Sequence, residues 1–198
     1  RDRLFLLRNL QAAPRLMYLL RSAPCTDSLV LPLYDEVLRN SLSATLNVDL
    51  DDERWRQASL PVRWGGLGVR SAVLLAPSAY LAATASTTEL ASSLLPVRLR
   101  DAVDSGIEPA TSAWLKLAHY PLQSSPTGMP TAIAQRSWDD PCCKAQAEML
   151  LDSAVDHVVR ARLLAARSPG SGDWLEVLPL SSVGNKMDMD NAVVRIAA

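Results

Sequence analysis

Three carboxylates, Asp49, Asp51 and Asp52, stand almost side by side, interrupted only by Leu50. Two-metal polymerases and nucleases use such carboxylates to hold Mg²⁺ between attacking and leaving oxygens. The same cluster, extended by Glu53, runs straight into Trp55 and Gln57. Acidic residues in that position cap a helix and complement its N-terminal dipole, and the context favours this reading over a metal site. Asp188 and Asp190 are read in the same way. Cys142 and Cys143, with His119 and His157, are the residue types of a thiol nucleophile and its base, or of a zinc site. Neither paired zinc spacing nor a nucleophile motif accompanies them, which predicts buried or incidental thiols. His157, four residues beyond Ser153, is expected at the surface or the edge of the core. Gly65, Gly66 and Gly68 lack the spacing and the preceding strand of a phosphate-binding loop. No cofactor motif is found, and no cofactor is expected.

Arginines give the more suggestive pattern. Arg1, Arg8 and Arg15 recur every seven residues, which on a helix lines them along one face about 10 Å apart. Such a row can track a phosphate backbone, and it is equally the solvated face of an amphipathic helix. Arg63 and Arg70 flank the glycine loop and would extend the same basic surface.

The elements that must position these residues read as helices throughout. Few stretches alternate apolar with polar residues or gather β-branched and aromatic ones. The expected fold class is all-α: an irregular multi-helix assembly of two subdomains joined by a Pro/Ser-rich linker. Leu4, Leu7, Met17 and Leu20 mark a first helix ending near Arg21 and kinked by Pro14, which removes an amide donor and crowds residue 10. A second helix begins between Asp27 and Pro32 and carries Tyr34, Val37, Leu38, Leu42 and Leu46 on one side. Residues 60–68 cannot be helical, because Pro61 blocks a helix and the glycines invite positive φ. A helix then resumes from Ser71, bent or broken at Pro77. Ser86 and Glu89 have capping-box spacing for the next one, and Gly106 and Pro109 punctuate after that. Asp140-Pro141 reads as a cap with Pro at the first helical position, opening one long helix or two shorter ones. Asp173 and Glu176 cap a short turn. The boundaries that follow are a helical hairpin over 1–48, a helical connector with its glycine-rich turn over 49–120, a linker over 121–130, and a C-terminal subdomain over 131–198.

Composition supports a folded core: 198 residues, 48% of them hydrophobic, can bury one generous domain or two small ones. With 20 basic and 21 acidic residues, overall charge selects no partner class, and any binding face must be local. An odd number of cysteines, two of them adjacent, argues for a reducing compartment. No apolar run reaches the roughly 18 residues that span a bilayer, and no signal-peptide core precedes the first helix. Both ends stop inside helical patterns, so the expectation is a piece of a larger intracellular protein.

Residues 60–72, Leu-Pro-Val-Arg-Trp-Gly-Gly-Leu-Gly-Val-Arg-Ser-Ala, followed by Ala-Pro-Ser-Ala-Tyr-Leu-Ala at 76–82, resemble a segment of non-LTR retrotransposon polyproteins just beyond the reverse transcriptase domain. Residues 16–34, and 172–175 through 178–182, are similar to the same polyproteins, in the same order. The resemblance implies that the first two helices belong to a polymerase thumb and that the rest leads toward a Cys/His knuckle and a restriction-like endonuclease. It implies an RNA-directed DNA polymerase as the parent protein, acting in the nucleus at the site of integration. The polymerase's Ala-Asp-Asp signature is not in this sequence, so the implied role is non-catalytic. That role is clamping of an RNA-DNA or RNA template-primer through Arg1, Arg8, Arg15, Arg63 and Arg70, and scaffolding between upstream polymerase and downstream endonuclease modules. The alternative is a helical protein-interaction module anchored by Trp55, Trp64, Trp114, Trp138 and Trp174. A free-standing enzyme, which would need Cys142, Cys143 and His157 in one pocket, ranks third.

Overall fold

A computed structural model describes residues 2–119 and 135–176, and among these every regular element is helical. The linker assigned to 121–130 and the acidic pair Asp188 and Asp190 lie outside the described residues, as does Arg1. The elements are α1 (Asp2–Leu6), a π-helical turn (Leu7–Gln11), α2 (Ala13–Ser22), α3 (Val30–Leu46), α4 (Asp52–Ser59), a 3₁₀ turn (Val62–Trp64), α5 (Ala72–Leu94), α6 (Val97–Leu117), α7 (Gln135–Ser153), α8 (His157–Ala166) and α9 (Asp173–Glu176). No helix among the described residues is long and apolar enough to cross a membrane.

Helix α5 is the axis of the molecule, with α2, α3, α6 and α7 packed around it. Its sequence permits this, because Ala72, Ala76, Ser78, Ala79 and Ala82 are small and buried, and short side chains let neighbouring helices approach closely. One core cluster joins Leu38, Leu42 and Leu46 of α3 to Leu4, Leu67 and Val69. A second joins Leu20 and Leu31 to α5. A third spans α5, α6 and α7, so helices on both sides of residues 120–134 share one core. At its centre the Trp114 and Trp138 rings meet edge to face, 5.5 Å between centroids at 72°. The Trp114 indole N–H donates to the Trp138 carbonyl at 2.7 Å, satisfying a donor that burial would otherwise penalise.

Several sequence expectations needed correction. Pro14 does not kink a continuous helix. Five residues form a π turn in which the Ala12 N–H reaches the Leu7 carbonyl at 2.8 Å, the chain breaks at Ala12, and Pro14 sits in the first turn of α2, where no amide donor is needed. The Tyr34 hydroxyl donates to the Ala12 carbonyl exposed by that break. Val37 points outward, 62% exposed, while Leu31 and Asp35 take the inward face of α3. Ser86 and Glu89 begin no new helix. The hydroxyls of Ser86, Thr87 and Thr88 bond back to carbonyls of the preceding turn, and α5 runs on to Leu94. Pro77 also lies inside α5, fully buried.

Gly106 and Pro109 lie within α6, and Gly106 is there for packing. A Cβ on it would come 2.6 Å from the Tyr80 hydroxyl and 2.8 Å from Pro24. Asp140-Pro141 opens nothing, since α7 already runs from Gln135 and the Asp140 carboxylate is taken by arginines.

Other features agree with local chemistry. Asp51 caps α4, accepting the Arg54 N–H at 2.8 Å. Asp52 pairs with Arg39 at 2.7 Å, and the Asp49 carbonyl accepts from Arg54. The acidic cluster is therefore a helix start tied down by arginines. A second cap comes from a distance: buried Asp35 of α3 accepts the Ser71 hydroxyl and the Ala72 N–H at the N-terminus of α5. Burial pushes the Asp35 carboxyl above its ordinary value, although these hydrogen bonds pull the other way.

Candidate nucleic-acid interface

The loop after α4 sets the geometry of the site. Leu60 and Pro61 leave the helix, the 3₁₀ turn follows, and Gly65 and Gly68 take left-handed φ of 82° and 75°. The chain then folds back: the Leu67 N–H bonds to the Ala58 carbonyl at 3.1 Å and the Gly68 N–H to the Leu60 carbonyl at 2.9 Å. This buries Leu67 and Val69 and holds Arg63 and Arg70 on either side of the glycines. Gly68 also gives Arg8 room to pass, since a Cβ there would stand 2.8 Å from Arg8 Nε.

Arg8, Arg63 and Arg70 meet in one open cleft of about 430 Å³, joined by Arg136 of α7 and by Asp139. Four arginines thus gather beside the Asp139 and Asp140 carboxylates, an excess of positive charge at one place in a chain whose overall balance is near zero. Concave, low-dielectric walls of one sign focus the field and raise the local concentration of anions.

The four arginines are held differently. Arg70 pairs with Asp139 at 2.6 Å, with the two side chains 16% and 11% exposed, and its Nη1 lies 3.3 Å from the Cys143 sulfur. Burial, the largest single influence, pulls the Arg70 pKa down, but the Asp139 carboxylate and the Cys143 sulfur together outweigh it and the net direction is up. Its Nε is buried without a hydrogen-bond partner. Arg8 donates from Nη1 to the Leu175 carbonyl at 2.7 Å, tying the first helical segment to α9. Arg63 and Arg136 are more exposed than Arg70, and both pair with Asp140. No protein-family model, curated protein or solved structure matches this chain.

Of the sequence-predicted residues, Arg8, Arg63 and Arg70 are brought together and Arg15 is not. Arg15 is exposed and lies near Tyr34, where its charge favours the phenolate against the stronger effect of burial. The π turn and the break at Ala12 fall between Arg8 and Arg15, so the seven-residue spacing does not keep them on one face. Arg136 was missed, and its only signal in the sequence is the four-residue spacing to Asp140.

The thiols do not form a pocket with the histidines. Cys142 and Cys143 are buried, whereas His119 and His157 are exposed at helix ends. Burial raises the Cys142 thiol to about 12 and the Cys143 thiol to about 11, against an ordinary value of 9.0, so neither is a nucleophile at neutral pH. These shifts set a pH window. Below pH 9 the thiols are protonated in both folded and unfolded chains and their contribution to stability is complete. Above it the unfolded chain ionises first, and stability falls by up to about 1.4 kcal/mol per pH unit for each thiol until the folded values are passed. Thermal denaturation at intervals from pH 8 to 11 should therefore show a steepening loss, shallower in the Cys142→Ala variant. Parallel profiles for the two proteins would contradict this assignment.

Among the described residues no group of three His, Cys, Asp or Glu side chains is placed to hold a metal ion. A second cavity of about 350 Å³, lined by Leu46, Leu50, Gln57, Trp174 and Leu175 among others, lies on the other side of the glycine loop. Its walls gather no opposed titratable groups.

Proposed function

We propose that this chain is a non-catalytic, nucleic-acid-clamping part of a retrotransposon RNA-directed DNA polymerase, holding the backbone of an RNA-DNA template-primer while its helices space polymerase and endonuclease modules. The carrying observation is the convergence of Arg8, Arg63, Arg70 and Arg136 from three separate segments on one cleft. The wall between them is built by residues 61–70, within the stretch that resembles the retrotransposon polyproteins. Guanidinium forks match phosphate oxygens, and such contacts position a strand without reading its sequence.

The test is binding of the whole chain to a fluorescent RNA-DNA hybrid across a salt series, beside the Arg63→Gln/Arg136→Gln variant. Binding should weaken as salt rises. The variant should lose about tenfold in affinity, and its log-log salt slope should be shallower by about two. A folded protein that ignores the hybrid at low salt refutes the clamp.

The interaction-module alternative is supported by a different surface. Its tryptophan anchors are engaged internally: Trp114 and Trp138 are buried, and Trp64 lies beneath Arg167, whose guanidinium carbon stands 5.2 Å from the ring centroid. What favours the alternative is an apolar stripe at the start of α3, Leu29, Val30, Leu33 and Val37, each more than 60% exposed. Hybrid binding that survives Arg63→Gln/Arg136→Gln but falls on Leu33→Ser would shift weight to that surface.

A further inference from the structure

We infer that Asp140 is an internal competitor for the phosphate site of the cleft, occupying the Arg63 and Arg136 guanidiniums until a phosphate group displaces it. The inference rests on the preceding reading, that the cleft receives nucleic-acid phosphates.

One carboxylate holds two cations here. Asp140 Oδ1 accepts from Arg63 Nε at 3.0 Å and from a second nitrogen of the same guanidinium, and Oδ2 lies 3.5 Å from Arg136 Nε. A single anionic group bracketed by two guanidiniums is the arrangement a backbone phosphate would adopt in the same place. Asp140 and its neighbour Asp139 differ in kind. The Asp139–Arg70 pair is enclosed by the fold, whereas the Asp140 and Arg63 side chains are 37% and 36% exposed and Arg136 is 69% exposed. Exposed pairs contribute little to stability, so exchanging one carboxylate for a phosphate at the mouth costs the fold little.

Pro141 follows immediately and α7 continues through it. The carboxylate is therefore presented from a rigid helix, not from a loop that could swing away. A phosphate entering the cleft meets Asp140 as a rival for the same donors and as a like charge.

Neutralising Asp140 should strengthen binding, the reverse of what neutralising an arginine does. The experiment measures the fluorescent RNA-DNA hybrid against Asp140→Asn, Arg63→Gln and Asp152→Asn, with inorganic phosphate as competitor. Asp152 is exposed on the same helix, about 18 Å further along it, beyond the screening length at 0.1 M salt. It controls for a simple change in net charge. The expected result is roughly threefold to tenfold tighter binding for Asp140→Asn, with a salt slope steeper by about one and higher sensitivity to inorganic phosphate. Asp152→Asn should bind like the wild type.

Wild-type binding that depends on Arg63 but is unchanged by Asp140→Asn would overturn the competitor while leaving the clamp in place. Equal gains from Asp140→Asn and Asp152→Asn would also overturn it. Silence from the folded wild type at low salt would end both readings, whatever Asp140→Asn does.

Discussion

The Arg70→Met variant is expected to lose about 3–5 kcal/mol of stability, the cost of stranding one member of a buried ion pair. Asp139 is 11% exposed and its carboxylate lies 2.6 Å from Arg70 Nη2. Without the guanidinium it must either ionise in a low-dielectric surrounding or take up a proton, and both cost free energy. Asp139 also lies next to Cys142 and Cys143, whose ionisation Arg70 favours, so the substitution removes the guanidinium that holds this corner of α7 to the glycine loop. Removing both charges should be much milder. Arg70→Met/Asp139→Leu should recover most of the loss, because the pair's desolvation cost disappears with its attraction. Urea midpoints of the three proteins give the comparison, and a single variant within about 1 kcal/mol of the wild type would mean that the pair is not enclosed. This also decides which arginines can report on binding: Arg70 cannot be altered without disturbing the fold, whereas Arg63 and Arg136 can.

What the sequence made legible is what depends on neighbours in the chain. Asp51 caps α4 through a bond to an amide three residues on, a contact that needs no tertiary structure and follows from residue type and position. The exit from α4 and the positive φ at Gly65 and Gly68 were legible for the same reason, since Pro61 and the glycines restrict or free their own backbone, but residues 60–68 are not wholly non-helical, because Val62–Trp64 form a 3₁₀ turn. The errors fall where distant side chains decide. Asp140 has the sequence of a cap, but Arg63, far away in the chain, takes its carboxylate. Gly106 looks like punctuation, yet it is a notch in α6 for Tyr80 and Pro24. The cap on α5 that comes from Asp35 had no local signal, because α3 supplies it from another part of the chain. The arginine row failed more subtly: its seven-residue period assumed an unbroken α-helix, and the π turn before Ala12 changes the register between Arg8 and Arg15. Half the cleft was thus readable as residue types flanking the glycine loop, and the other half waited on how α7 packs.

The Gly66→Ala variant is expected to be the most damaging of the small substitutions, costing on the order of 3 kcal/mol or more. A Cβ at Gly66 would lie 2.1 Å from the Leu60 carbonyl oxygen and 2.6 Å from that of Gln57. Both are backbone atoms, and both belong to the turn on which the loop is folded: the Leu60 N–H bonds to the Gln57 carbonyl, and the Leu60 carbonyl accepts the Gly68 N–H. The methyl group therefore cannot be accommodated by a rotamer change. The loop must lift, drawing Leu67 and Val69 out of the core and moving Arg63 and Arg70 together. Gly170→Ala is the matched control, with φ of +81° but no atom nearer its Cβ than 3.5 Å, from the Asp173 side chain; it should cost only about 1–2 kcal/mol for the left-handed conformation. Gly68→Ala should fall between them, since its close neighbour is the side chain of Arg8, which can shift at the expense of its place in the cleft. Denaturation of the three variants should rank them Gly66, Gly68, Gly170. Hybrid binding should separate them differently, because Gly68→Ala and Gly66→Ala both displace arginines from the cleft while Gly170→Ala leaves them in place. If Gly66→Ala proves as mild as Gly170→Ala, the fold-back of the loop onto α4 is not what positions Arg63, and the cleft must be held by α7 alone.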